Sequence, residues 1–437
     1  MNDLIKRDLK TLWHPCSQMK DYESFKPLIV RSALGSYIEL SDGRKIIDAI
    51  SSWWCKSLGH GHPRLKQALI NQLEQFEHVI LANTTNHNII NLSEKLCGLT
   101  KTLKKALYAS DGSCAVEMAM KLSLHSRVLT GDLKRYTFMA LSNGYHGETS
   151  LALSVSDLGI YKDAYKKILI NTVVLNNIPY VKNRTDPLWE DCSEIWPAIE
   201  KQLEQHTETL TAIIIEPIIQ GAGGMMIYSK DFLKRLRIWT KQHNVHLIAD
   251  EIMTGLGRTG LPLACHHADI EPDFLCLGKG LTSGFLPLSA VLTSDTIYNL
   301  FYDDYELGKS FLHSHTHSGN ALAVSVALET LNILETENMY AQIQDTELLL
   351  AELMTEVAEN TGKLKNIRYI GGVVAADLDP VIHKRMGYAV YQQAVKLGAL
   401  LRPLGNTLYW LPPLNTSKDT LYELKEITQK AILLAYK

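Results

Sequence analysis

The sequence contains no CxxC pair, no apolar run near the ~20 residues needed to cross a bilayer, and no strong excess of either charge. Its seven cysteines stand at 16, 55, 97, 114, 192, 265 and 276. An odd, scattered set of this kind excludes a disulfide framework and a thiolate zinc site, and reads as reduced thiols. A formal charge of −3 over 437 residues provides no basic face, so nucleic acid is not an expected partner. The opening stretch Met1-Asn2-Asp3-Leu4-Ile5-Lys6-Arg7-Asp8-Leu9-Lys10 lacks an uninterrupted apolar segment, so no membrane association is expected and the cytoplasm is the expected address.

What is present is a chain too long for one small core, which implies a large and a small lobe. From about residue 105 to 290, short apolar runs (Ala106 to Ala109, Tyr136 to Leu141, Leu210 to Ile215, Val245 to Ala249, Phe274 to Leu277, Leu288 to Leu292) alternate with helical patterns. That alternation predicts a mostly parallel α/β sheet. Helices are expected from near Ser113 and from about Asp231 to His243. Beyond Gly319-Asn320 come a long amphipathic stretch to about Thr361, strand formers from Ile367 to Leu378, and a last helix near Lys418 to Tyr436. The expected division is 1–60 as a segment packing with the small domain, 61–325 as the large domain and 326–437 as the small α+β domain, built from both chain ends.

Chemistry concentrates where apolar runs stop. The strand ending Phe274-Leu275-Cys276-Leu277 runs into Gly278-Lys279-Gly280, placing an amine at a strand mouth. Upstream, Val245-His246-Leu247-Ile248-Ala249 ends in Asp250-Glu251. A carboxylate and an amine on neighbouring strand ends suit pyridoxal phosphate, whose ring nitrogen needs the acid and whose aldehyde needs the lysine. Ser110-Asp111-Gly112-Ser113 precedes a helix, where backbone N–H groups stabilise a phosphate or are merely capped. Asn143-Gly144-Tyr145-His146-Gly147 offers an aromatic ring to stack on a planar cofactor. His313-Ser314-His315-Thr316-His317, read as a strand, would put three imidazoles on one face; without a carboxylate or cysteine at ligand spacing, a metal is not expected.

Glu216-Pro217, Ala249-Asp250-Glu251, the run Thr254-Gly255-Leu256-Gly257-Arg258-Thr259-Gly260, Pro272-Asp273 and Gly278-Lys279 occur in the order and spacing of one family. On them the chain resembles class III, fold-type I pyridoxal-phosphate aminotransferases over nearly its whole length. Trp13-His14-Pro15 with Met19, Ser51-Ser52-Trp53-Trp54 and Arg402-Pro403-Leu404-Gly405 are similar to the biotin-synthesis branch. That branch converts 8-amino-7-oxononanoate to 7,8-diaminononanoate with S-adenosylmethionine as amino donor.

The resemblance implies roles residue by residue. Lys279 is the Schiff-base former and proton-transfer base, Asp250 the partner of the ring nitrogen, and Tyr145 the stacking ring. Gly112, Ser113 and His315 bind the cofactor, the first two at its phosphate, and Thr316 reaches the phosphate of a neighbouring subunit, so a homodimer is implied. Substrate contacts fall to Trp53, Trp54, Tyr145, Arg258, Lys279, Ser314 and Arg402. A guanidinium at Arg402 forks onto the distal carboxylate of the keto acid. Some residues depart from the pattern: Cys16 follows the Trp-His-Pro motif where many members have tyrosine, His313-Ser314-His315-Thr316 stands in place of a Gly-Pro-Thr ending, and Glu148 replaces an aspartate. Ala222 and Met253 occupy positions where glutamate-using branches carry glutamate and glutamine. Lysine as donor, and another ω-amino acid aminotransferase, remain the alternatives.

Overall fold

The computed structural model describes residues 2–380 and 384–437, with Asn2 described in its backbone only. Seven strands form the main sheet in the spatial order Leu103–Ala109, Ser289–Ser294, Phe274–Leu277, His246–Asp250, Leu210–Ile215, Thr137–Leu141 and Thr172–Leu175. Neighbours from Phe274–Leu277 to Thr172–Leu175 pair in parallel, while Ser289–Ser294 runs antiparallel to both its neighbours. Successive side chains of the central strands enter opposite faces. Ile213, Ile215, Leu247 and Ala249 pack into one apolar cluster, while Ala212, Ile214 and Ile248 pack into another with Val116 and Met120 of the helix Gly112–Leu129. Burial on both faces explains why these strands read as continuous apolar runs rather than alternating ones.

The edge strand Thr172–Leu175 escaped the sequence reading because its four residues are too short for a clear period. The amphipathic stretch 321–361 is two helices, Ala321–Thr336 and Met339–Thr361, broken where Asn338 takes a φ of +49°. The strand formers near 367–378 make a hairpin, Leu364–Ile370 against Val373–Leu378, with Gly371 at φ +55° in its turn. A separate apolar cluster gathers Ile47, Leu353, Val374, Trp410 and Leu424. Strand Lys45–Asp48 pairs in parallel with Ala399–Leu400, tying residues near the start of the chain to residues near its end. Among the described residues no helix is long and apolar enough to cross a membrane.

Candidate active site

The parallel strands deliver their carboxyl ends to one edge of the sheet, the place where open α/β sheets bind ligands. A cavity of about 470 Å³ opens there. It is lined by Gly112 and Ser113 after the first strand, Tyr145 and His146 after Thr137–Leu141, and Glu216 after Leu210–Ile215. Asp250 and Lys279 complete the set from the next two strand ends.

Asp250 is buried and accepts twice. His146 Nδ1 lies 2.8 Å from its Oδ2, and the Ile252 N–H donates to Oδ1 at 3.2 Å. His146 was quoted in its motif but given no role from the sequence, because an imidazole beside an aromatic residue carries no spacing rule. Its second nitrogen, Nε2, is buried without a hydrogen-bond partner. Glu216 also lacked an assigned role. Its two oxygens accept the Tyr145 and Gly221 N–H groups at 2.9 Å each, which locks the Tyr145 loop. Burial, aided by the nearby Asp250 charge, pushes the Glu216 carboxyl up to about 7. Burial also lowers Lys279, against the opposing pull of Asp250 and Glu216, so its uncharged amine is more accessible than that of a surface lysine. The amine sits 5.0 Å from the centre of the Trp54 ring, and the Lys279 backbone is left-handed at φ +41°.

Gly112 leads an 18-residue helix capped by Asp111, whose side chain accepts the Cys114 N–H at 3.0 Å. A Cβ on Gly112 would lie 2.9 Å from Ile252 Cδ1, so any larger residue at the helix start would push the Ile252 side chain aside. The ring of Tyr145 tilts against Tyr161 at 5.6 Å, and its hydroxyl donates to Glu148 at 2.9 Å. Burial and the Glu148 charge raise the Tyr145 phenol, so it stays protonated.

The indoles belong to an unusual turn. Ser51, Ser52, Trp53 and Trp54 all have left-handed backbones, at φ +50°, +46°, +74° and +72°. For non-glycine residues this costs roughly 1–2 kcal/mol each. Buried Asp48 offsets that cost. Its Oδ1 accepts the Ser52 N–H at 2.9 Å, and its Oδ2 accepts the Ser52 hydroxyl at 2.7 Å and faces His60 Nε2 at 2.8 Å. Trp54 Nε1 donates to the Tyr409 hydroxyl at 3.0 Å, which turns its ring into the cavity. Trp53 is 41% exposed and does not line that cavity; its ring faces the Arg402 guanidinium at 4.3 Å. Arg402 Nη2 donates to the Cys16 carbonyl at 2.5 Å, and both residues line a second cavity of about 410 Å³.

The remaining sequence-derived site residues lie elsewhere. Arg258 is buried away from the cavity lining, donating to the carbonyls of Gly372 and Pro412 at 3.2 and 2.9 Å, with Nη2 lacking a partner. No carboxylate pairs with it among the described residues, and burial lowers it to about 9. Ser314, His315 and Thr316 do not line this chain's cavity. Their segment is a loop and turn rather than a strand, with Ser314 and Thr316 exposed and the Thr316 carbonyl 2.9 Å from His78 Nε2. Among the described residues no group of three or more histidine, cysteine or acidic side chains could hold a metal ion.

Comparisons with known proteins identify the family. The family model for aminotransferase class-III matches residues 18–432. Over 422 residues the chain is 41% identical to the adenosylmethionine-8-amino-7-oxononanoate aminotransferase of Helicobacter pylori, covering 94% of this chain and 93% of that protein. The crystal structure of the adenosylmethionine-8-amino-7-oxononanoate aminotransferase from Methanocaldococcus jannaschii superposes with a TM-score of 0.91 at 33% identity, covering 99% of each chain. An amine transaminase from an uncultivated Pseudomonas species, solved in its PLP-bound form, gives a TM-score of 0.88 at 27% identity, covering 97% of this chain and 99% of that one. With a family model spanning nearly all of the chain and relatives of this identity across its length, the chain belongs to the class-III aminotransferases, on the fold-type I scaffold.

Proposed function

We propose that the chain transfers an amino group from S-adenosylmethionine to 8-amino-7-oxononanoate, forming 7,8-diaminononanoate for biotin synthesis, with pyridoxal 5'-phosphate as cofactor. The observation that carries this reading is the convergence of Lys279, Asp250, Tyr145 and the helix start at Gly112 on one cavity. The names of the H. pylori and M. jannaschii relatives support the substrates.

The residues present fit the cofactor. A carboxylate, an amine, a phenol ring and a helix N-terminus, each of the type one part of that molecule requires, meet in a cavity of suitable size. When bound, pyridoxal phosphate supplies the electron sink that makes a substrate α-carbon acidic. Asp250, oriented by His146, would accept the hydrogen bond of the ring N–H. Gly112 and Ser113 would hold the phosphate, and Tyr145 would cover one ring face. Lys279 Nζ, shifted toward its neutral form, would take and return the proton of the donor's α-carbon. Arg402 binds the distal carboxylate of the keto acid and Trp54 and Trp53 wall its methylenes, while Arg258, which does not line the cavity, would act on the donor side only through the Gly372 and Pro412 carbonyls it holds.

The same reading makes the protein a cytoplasmic homodimer in which Ser314, His315 and Thr316 serve the neighbouring subunit. Their position away from this chain's own cavity supports the sharing, and seven unpaired cysteines suit a reducing compartment. It divides the chain at 1–60, 61–325 and 326–437, supported by the strand pair joining Lys45–Asp48 to Ala399–Leu400. The test is a two-part stopped-flow experiment on protein loaded with pyridoxal phosphate. S-adenosylmethionine alone should bleach the visible band, and 8-amino-7-oxononanoate should then restore it. Bleaching by lysine and not by S-adenosylmethionine overturns the donor assignment; failure of the keto acid to restore the band overturns the acceptor.

A further inference from the structure

Two series of side chains lead from the Lys279 cavity to Arg402. One is made of indoles: Trp54 beside the amine and Trp53 beneath the guanidinium. The other starts at Tyr145 in the cavity, continues to Tyr161 with ring centres 5.6 Å apart, and ends where the Tyr161 hydroxyl lies 3.4 Å from Cys16 Sγ. Cys16 returns the path to Arg402 through its carbonyl. Tyr161 belongs to a single helical turn, Gly159–Lys162, in which Ile160 points outward at 92% exposure while Tyr161 is half-buried. That orientation is anchored by Lys162, whose ammonium donates to the carbonyls of Ser154 and Ser156 at 2.7 and 3.0 Å. Tyr161 itself lines another hollow, of about 450 Å³, together with Glu148, Leu153, Ile160 and Ile168.

We infer that Tyr161 is a specificity-determining residue, the partition that keeps the acceptor lane narrow enough for an unbranched methylene chain and closes it from that hollow. The inference rests on the function proposed above and names the side chain that sets the acceptor's shape. An aromatic ring set between Tyr145 and Cys16 selects by contact area and exclusion, without needing a charge. Because Cys16 and Tyr161 meet tip to tip, a ring rooted at either position can fill the gap.

The experiment combines steady-state kinetics with thiol labelling of the holoenzyme. Tyr161→Ala should raise KM for 8-amino-7-oxononanoate roughly ten- to hundredfold, the size of losing contact with one or two methylenes, with a smaller change in kcat. It should also raise activity toward the bulky ketone benzylacetone, which a merely structural role for Tyr161 would not do. Tyr161→Phe should keep both wild-type values, and the double variant Cys16→Tyr/Tyr161→Ala should bring KM back toward wild type. An unchanged KM and unchanged benzylacetone activity in Tyr161→Ala overturn the assignment, as does a double variant no better than the single one. Nonanoate, a straight-chain carboxylate, should slow alkylation of Cys16 by N-ethylmaleimide in wild type, read by mass spectrometry, and lose that protection in Tyr161→Ala. Equal protection in both overturns the inference. Because this labelling needs no turnover, it decides the role of Tyr161 even if wild type ignores 8-amino-7-oxononanoate, a result that would overturn the functional proposal instead.

Discussion

The two ends of the lane are built on different principles. At the Lys279 end, Asp250, Glu216 and Lys279 stand within two residues of strand ends in one continuous sheet, and the partners of the two carboxylates are buried: Asp250 with His146, Glu216 with two backbone N–H groups. At the Arg402 end, the groups come from short segments far apart in the chain, at 16, 53, 161 and 402, and Trp53 is 41% exposed. The first end resists displacement because the sheet moves with it. The second is adjustable one loop at a time, so substrate choice can change there without disturbing the chemistry.

Substitutions can break this contrast, beginning at the rigid end. Lys279→Ala should abolish turnover by several orders of magnitude, since amine and base disappear together, while still retaining pyridoxal phosphate by dialysis. Turnover near wild type would remove Lys279 from the chemistry. Asp250→Asn should lower kcat by roughly a hundred- to thousandfold, in the range for one preorganised electrostatic contact. At the other end Arg402→Ala should weaken the keto acid by about 2–3 kcal/mol, the worth of a hydrogen-bonded charge, while leaving the amino-donor half-reaction far less affected. Equal losses in both half-reactions would show that the two ends are not separate.

A smaller effect concerns pH and stability. Glu216 has a folded-state pKa raised from 4.5 to about 7, so the fold binds a proton that the unfolded chain releases at lower pH. The stability gained from that proton is complete below the unfolded value and is lost as pH rises through about 7. Urea midpoints of wild type should therefore fall relative to Glu216→Gln across this window. Parallel midpoints from pH 4.5 to 7 would mean that Glu216 is ionised throughout.

The rigid end was the legible one, for a physical reason. A strand buried on both faces must be apolar, so the first polar residues after it mark the sheet edge and stand out: Asp250 and Lys279 could each be found by that rule, and the Gly112 turn by its polar helix start. Edge strand Thr172–Leu175 and the break at Asn338 left weaker traces, being decided by pairing and by one left-handed residue. The loop end obeys no period. Trp53 and Arg402 were found through resemblance, but their contact joins residues 349 positions apart, and nothing local to Tyr161 or Asp48 announces what either touches. His315 and Thr316 illustrate the other limit, since residues proposed to serve a neighbouring subunit have no spacing relation to their own chain's site.

The left-handed turn at Ser51–Trp54 sets two selection pressures against each other. Glycine is the residue that such backbone angles favour, and Trp53→Gly would relieve strain at the position with the largest positive φ of the four. It would also remove the ring beneath Arg402. A search for thermostable variants that scores melting temperature alone should therefore be drawn to this turn and return proteins that withstand heat better while recognising the keto acid worse, an antagonism between endurance and discrimination confined to a few residues.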